Sequence, residues 1–158
     1  MSMTARMRDP ERWVDVAIDP DEARVALRYA YSDGEWLMGT NGHRIHRIKT
    51  KLPSGYYDDD CGMVPCDTPD EGAFPTNISK LFEKARGETT TIELGPVIVS
   101  WFLGRMQYTN RVNGILYQDR YLREAASGEV MQVRTNGPND PLFGFNEHGE
   151  YLVMPMKE

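Results

Sequence analysis

The sequence predicts an α+β fold with antiparallel sheets and few helices. Each of three helical segments is followed by three short segments rich in β-branched and aromatic residues, and turn signals such as Gly95-Pro96 and Gly104-Arg105 separate these segments. The order of one helix and three strands recurs with a period of roughly fifty residues, and a strand before each later helix would complete a βαβββ unit. We therefore predict a single domain of about three units, with boundaries at 1–52, 61–112 and 113–158.

The first unit is predicted to begin with a helix. Asp9 is a suitable N-cap, Pro10 suits the first helical position, and Val14, Ala17 and Ile18 recur at helical spacing. Apolar residues also alternate over 13–18, so a short strand remains an alternative there. Strands are predicted at 24–31, 35–39 and 43–49.

The second and third strands of this unit are predicted to form a hairpin. Asn41-Gly42 is the strongest short hairpin signal, because both residues tolerate the positive φ that two-residue turns require. His43, Arg44, His46 and Arg47 then alternate imperfectly with apolar residues. As a pattern alone, this is a hairpin with a charged solvent face.

The second unit contains the clearest helix, predicted over 76–86. Ile78, Leu81, Phe82 and Ala85 form one apolar stripe, and Gly87 ends the helix. Loops are predicted at 52–60 and 67–73, with strands at 62–66, 89–94, 97–103 and 106–112.

The third unit is predicted to contain a weaker helix over 116–126, on which Leu122, Ala125 and Ala126 share a face. Ser127-Gly128 ends this helix. Strands are predicted at 129–134, 142–145 and 151–156. The last strand is unusual because it is apolar up to the chain end, where most chains fray.

The composition is that of a globular protein and argues against several other classes. The 158 residues are 40% hydrophobic and 27% charged, which is ordinary for a globular protein, and no apolar run is long enough to cross a bilayer. The net charge of −6 argues against a generally basic nucleic-acid coat. Two cysteines and no apolar leader indicate a protein of the reducing cytoplasm with no membrane association.

Two stretches together resemble the bacterial sliding clamp, the β subunit of the replicative DNA polymerase. They are TNGHRI at Thr40–Ile45 and YLVMPMK at Tyr151–Lys157. The family carries T-D-G-H-R-L inside the chain and ends in M-P-M-R-L. Asn41 stands where that family has Asp, and Lys157-Glu158 replaces its Arg-Leu end. The resemblance runs from Arg24 onward and implies a DNA-clamp-like fold of βαβββ units, with antiparallel sheets outside and helices on one face.

The resemblance also implies a binding site for short, extended, partly hydrophobic peptides of partner proteins. In clamps the DGHR hairpin and the C-terminal strand form this pocket. Methionines adapt to varied apolar partners, and a short strand edge beside an apolar hollow suits a docked peptide. The alternative is that the last strand belongs simply to the core. The implied peptide-binding residues are Leu27, Thr40, Gly42, His43, Arg44, Ile45, Val153, Met154, Pro155 and Met156.

Clamp helices present basic residues to DNA phosphates without reading sequence. The corresponding residues lie on the polar faces of two predicted helices, a pattern that solvated helices also show. They are Lys80, Lys84, Arg86, Arg120 and Arg123. The resemblance therefore implies a homo-oligomeric processivity factor around double-stranded DNA, with polymerase or other motif-bearing partners and a clamp loader. A peptide-binding decoy that does not encircle DNA is the alternative.

Catalysis is the less favoured function class, and the sequence predicts neither a cofactor nor a metal. His43, His46, Cys61 and Cys66 could form a zinc set in a small metal-dependent hydrolase. Their spacing is not that of familiar zinc modules, and residues three apart in a strand point to opposite faces. The sequence contains no glycine-rich phosphate loop and no G-x-S-x-G stretch.

Overall fold

The computed structural model describes residues 9–65 and 74–157. Cys66 and the loop predicted at 67–73 lie outside the described residues, as does the beginning of the first unit. In the described residues, no helix is long and apolar enough to cross a membrane.

Helices are short and strands dominate. The helices are α1 (Asp9–Asp15), α2 (Ile78–Ala85) and α3 (Asp119–Ala126), and Val25–Arg28 forms one 3-10 turn. The first six strands are β1 (Ala30–Ser32), β2 (Trp36–Thr40), β3 (Arg44–Lys49), β4 (Gly55–Tyr57), β5 (Met63–Val64) and β6 (Thr90–Ile92). The remaining strands are β7 (Ile98–Phe102), β8 (Arg105–Val112), β9 (Ile115–Gln118), β10 (Met131–Arg134), β11 (Leu142–Phe145) and β12 (Glu150–Val153).

The strands form two antiparallel sheets. Nine strands follow the order β5-β4-β1-β2-β3-β12-β11-β10-β6, and β7-β8-β9 form a separate three-stranded sheet. Strand β12 pairs with β3 over Glu150–Val153, so the end of the chain lies in the middle of the large sheet. This pairing explains why the C-terminal strand does not fray. The predicted α+β class with antiparallel sheets and few helices is confirmed.

Helices cover both faces of the large sheet. Leu142 and Val153 pack in the cluster that contains α1 and α3, whereas their neighbours Phe143 and Leu152 pack with α2. Because successive side chains in a strand point to opposite faces, α2 lies across the sheet from α1 and α3. The expectation of helices on one face is therefore correct for α1 and α3 and wrong for α2.

Trp13 connects the helix pair to the large sheet. Its indole Nε1 donates a hydrogen bond of 3.0 Å to the carbonyl of Ala125 in α3. Its ring stacks on the imidazole of His46 in β3, with centroids 4.2 Å apart. The helix alternative for the first segment is thus the correct one, since α1 buries Trp13 and Val14 against β2 and β3.

Two segments differ from their predicted structure. The strand predicted at 24–31 is instead a 3-10 turn over Val25–Arg28 followed by β1. The helix predicted at 116–126 begins only at Asp119, since Asn113-Gly114 forms a two-residue turn that pairs β8 with β9. Both turn residues have positive φ, 51° and 80°. In addition, the loop predicted at 52–60 contains β4.

Candidate functional site

A cavity of about 700 Å³ lies where the β2–β3 loop, the three-stranded sheet and the C-terminal segment meet. Its wall comes from parts of the chain that are far apart in sequence. The lining residues are Gly42, His43, Ser100, Trp101, Gln107, Thr109, Leu116, Gln118, Tyr121, Met154, Pro155, Met156 and Lys157. Aromatic, methionine and proline side chains provide the apolar surface, and uncharged amides and hydroxyls provide hydrogen-bonding groups.

The C-terminal segment 154–157 is fixed at two points. The amide of Met154 donates to the carbonyl of His43 at 2.9 Å, and the amide of Met156 donates to the carbonyl of Leu116 at 2.8 Å. The segment therefore bridges the large sheet and the small sheet. Pro155 has no amide hydrogen to contribute between these two points. Both methionines remain partly exposed at the cavity.

Side-chain hydrogen bonds fix the conformation of the β2–β3 loop beside this segment. The Thr40 hydroxyl donates to the carbonyl of Arg44 at 2.7 Å and accepts from the amide of Gly42 at 3.1 Å. Asn41 accepts from the amide of His43 through Oδ1 and donates to the hydroxyl of Tyr121 through Nδ2. Thr40 pairs with Ile45, so the connection is longer than the predicted two-residue turn. Asn41 acts through its side chain rather than through positive φ.

Arg44 connects the β2–β3 loop to α3. Its guanidinium lies 4.4 Å from the centre of the Tyr121 ring, donates to Glu124 at 2.6 Å and donates to the carbonyl of Val16 at 2.8 Å. Burial lowers the pKa of Arg44, and the bond to Glu124 opposes this change. The residue is almost fully buried, so it positions the cavity wall and is not itself part of it.

The structure brings together half of the peptide-binding residues that the clamp resemblance implies. Those at the cavity are Gly42, His43, Met154, Pro155 and Met156. Leu27 and Ile45 instead pack in the cluster with α2, on the opposite face of the sheet, and Val153 is buried in the core with α1 and α3. The structure thus does not bring these three residues to the cavity with His43, and strand alternation separates Ile45 from its neighbours.

Sequence reasoning missed the wall formed by the small sheet and α3. Trp101, Leu116 and Tyr121 provide most of its apolar surface. The turn signal Asn113-Gly114 could have revealed β9, and the pairing of Thr109 with Gln118 follows from that turn. The docking of the C-terminal segment on β9 has no local sequence signal.

The cavity contains few ionisable side chains. Its ionisable side chains are His43, Tyr121 and Lys157, and no carboxylate contributes to its wall among the described residues. This composition offers apolar contact, hydrogen bonds and a cationic rim. In residues 9–65 and 74–157, no cluster of three His, Cys, Asp or Glu side chains could hold a metal ion. His46 is enclosed against Trp13, so the zinc set that includes His43 does not converge.

The basic residues implied to face DNA do not share a surface. Lys80 and Lys84 are exposed on α2, whereas Arg120 and Arg123 are exposed on α3 across the sheet. The residues that the resemblance implies to face DNA therefore lie on two different sides of the large sheet.

Carboxylates also neutralise part of this charge. Arg86 binds Glu150 at 2.6 Å, and Arg123 binds Asp119 at 2.8 Å. Arg120 lies 3.8 Å from Glu124 on the same helix. The cations of α3 thus have partners within the chain, which weakens their attraction for DNA phosphates.

Comparison with solved structures identifies the fold. The sliding clamp (DNA polymerase III subunit beta) from Bartonella birtlesii, solved bound to griselimycin, matches with a TM-score of 0.56 at 15% identity, over 94% of this chain and 63% of that one. The beta sliding clamp of C. crescentus matches with a TM-score of 0.54 at 16% identity, over 100% of this chain and 68% of that one. The chain thus has a clamp-like fold and spans less than two thirds of the Bartonella protein. No protein-family model and no curated protein sequence match the chain.

Proposed function

We propose that this chain is a clamp-like binding protein of DNA replication, which docks a short extended peptide of a DNA polymerase or another replication protein. One observation carries the proposal: the β2–β3 loop and the C-terminal segment meet at an open, largely apolar cavity. The protein acts by binding and not by catalysis, and its partners place it in the cytoplasm.

The residues of the cavity wall indicate the kind of peptide that fits it. Trp101, Met154 and Met156 can enclose one or two apolar side chains, and methionine adapts its shape to different partners. The uncharged polar groups of the small sheet can pair with the backbone of an extended chain. Lys157 at the rim favours a peptide that carries a carboxylate.

Fluorescence anisotropy with labelled clamp-binding-motif peptides tests this proposal. Met154→Ala with Met156→Ala should weaken binding at least about tenfold, since each truncation removes roughly 1 kcal/mol or more of contact. Removal of residues 154–158 should abolish binding while leaving the buried Val153 in place. Met63→Ala is the matched control, because Met63 is an exposed methionine outside the cavity. Equal affinity of the truncated and intact proteins would overturn the assignment.

The positions of the helices favour a peptide-binding protein that does not encircle DNA. Because α2 lies across the sheet from α1 and α3, one ring interior cannot receive the basic residues of both α2 and α3. On α3 the carboxylates Asp119 and Glu124 balance the charges of Arg120 and Arg123, so this helix has no net attraction for phosphates.

Sedimentation with circular and linear double-stranded DNA tests this choice. We expect no retention on circular DNA at physiological salt and no effect of Lys80→Glu with Lys84→Glu. Retention on circular DNA with loss from linear DNA would instead establish a processivity ring.

A further inference from the structure

The hairpin of β7 and β8 carries an apolar face that the described chain does not cover. Cross-strand pairs place Val99 beside Tyr108 and Trp101 beside Met106 on this face. All four side chains are exposed, and Trp101 retains 69% of its accessible surface. We call these four residues the hairpin face.

The hairpin face continues the core side of the small sheet. Residues 106, 108, 110 and 112 alternate onto one side of β8, and at the base of the strand Val112 is buried in the main core together with Tyr117. The same side is therefore packed at one end and bare at the other. Exposed apolar patches of this kind mark interaction surfaces in soluble proteins.

Leu103 at the hairpin tip supports this interpretation. Its φ is +52°, in the left-handed region that favours Gly, Asn or Asp, and 87% of its surface is exposed. Neither the backbone conformation nor burial in the described chain favours a leucine at this position. A contact with another chain would account for this exposed apolar side chain.

We propose that β7 pairs with β7 of a second copy of this chain, in antiparallel register about Ser100, to form a twofold dimer. In the described chain β7 lies at the edge of its sheet, with β8 on one side and no strand on the other. An unpaired edge is a template for another strand. Such a dimer closes at two copies, unlike the head-to-tail contacts of a ring.

The sequence of β7 is self-complementary in this register. Val99 lies opposite Trp101 of the second copy, and Val97 lies beside its Leu103, so the four exposed apolar residues on one side of this segment find apolar partners. Apolar cross-strand pairs of this kind stabilise antiparallel sheets. A register centred on Val99 leaves Leu103 without an apolar partner. A register centred on Trp101 leaves Val97 without one.

Charge also fits a second copy. The chain has a net charge of −6, yet residues 94–118 contain no Asp or Glu. Two copies can therefore approach through this hairpin with less repulsion than through most of their surface.

Cross-linking tests the register. Ser100 faces its own copy across the twofold axis, where opposed Cα atoms lie about 4.5–5.5 Å apart, within the range that a disulfide spans. Ser100→Cys should give a disulfide-linked dimer under mild oxidation. Gln107→Cys is the control, because Gln107 pairs with Ser100 on β8 and would lie about 14 Å from its own copy, three strand spacings away. Wild-type protein, oxidised in the same way, shows whether the native cysteines form a cross-link.

Sedimentation velocity over a range of protein concentrations tests the dimer itself. Wild-type protein should show a monomer–dimer equilibrium, and Trp101→Glu or Val99→Glu should raise the dissociation constant at least about 30-fold. Val130→Glu is the control, since Val130 is also half exposed but lies outside the hairpin. A monomer at all concentrations, an open-ended series of oligomers, or equal cross-linking of Ser100→Cys and Gln107→Cys would overturn the proposal.

Discussion

Replacement of His46 by Phe should remove a pH dependence from the free energy of unfolding. The His46 Nδ1 atom lies 2.7 Å from the carbonyl of Trp13, and a carbonyl can only accept, so Nδ1 carries the hydrogen and donates it. Nε2 is therefore the unprotonated nitrogen, and it is buried without a partner. Burial, together with the nearby charge of Arg44, lowers the pKa of His46 from 6.5 to about 3.

The direction of the effect follows from these pKa values. Below pH 6.5 the unfolded chain takes up a proton at His46 that the folded chain excludes, so stability falls as the pH drops from 6.5 towards 3. Between pH 7.5 and pH 5.5 this one group should remove about 1.4 kcal/mol, because one pH unit below the unfolded pKa corresponds to about 1.4 kcal/mol. Above pH 6.5 it contributes almost no pH dependence.

Urea unfolding at pH 7.5 and pH 5.5 provides the measurement. Phe at position 46 keeps an aromatic ring against Trp13 but cannot titrate, so wild type should lose about 1.4 kcal/mol more than the variant between the two pH values. His43→Gln is the control, since His43 is exposed and its replacement should preserve the wild-type slope. Identical pH dependence in wild type and His46→Phe would refute the argument that His46 is buried in its neutral form.

Two further substitutions test the packing of the large sheet, each by urea or thermal unfolding. Gly144→Ala should destabilise by about 2–3 kcal/mol, because the added Cβ would collide with the ring of Tyr151, whereas Gly95→Ala meets no atom within 4 Å and should be close to neutral. Glu150→Gln should cost about 3 kcal/mol because it leaves the buried guanidinium of Arg47 without its carboxylate. Glu35→Gln breaks an exposed pair and should cost under about 1 kcal/mol. Equal losses for either pair of variants would contradict the packing described.

Local signals predicted most elements of the fold. Strand β11 at Leu142–Phe145 has the predicted bounds, and α2 lies within the predicted helix at 76–86. Both elements are bounded by residues with clear turn or capping preferences. Where such a signal was not used, the prediction was wrong, as at Asn113-Gly114, whose two-residue turn converts the first turn of a predicted helix into β9.

The side of the sheet on which each helix packs could not be predicted from helix patterns. The apolar stripe of α2 shows that one side of the helix is buried, but not against which face of the sheet it lies. A partial signal was present in the strands, because Tyr151, Leu152 and Val153 are consecutive apolar residues and all three are buried. A continuous apolar run is typical of a strand that is covered on both faces.

The candidate site could be predicted only where it depends on the two motifs. Gly42 and Met154 were found because each lies in a motif that resembles clamps. Trp101 and Tyr121 were missed, because they reach the cavity through long-range pairing of β7–β9 and through the bond between Asn41 and Tyr121. Such contacts depend on tertiary structure and leave no local pattern.

The positions of the cavity and of β7 connect the two proposals. Ser100 and Trp101 belong to β7 and also line the cavity, so a second copy paired along β7 would lie directly beside it. The two cavities of a dimer would then flank the twofold axis, and a partner with two peptide motifs could occupy both. Binding of the second motif would be intramolecular, which raises the apparent affinity without any new contact. Val99→Glu changes β7 outside the cavity wall, so it should weaken binding of a two-motif partner and leave the affinity of a one-motif peptide unchanged. Equal affinities of wild type and Val99→Glu for the two-motif partner would contradict this connection.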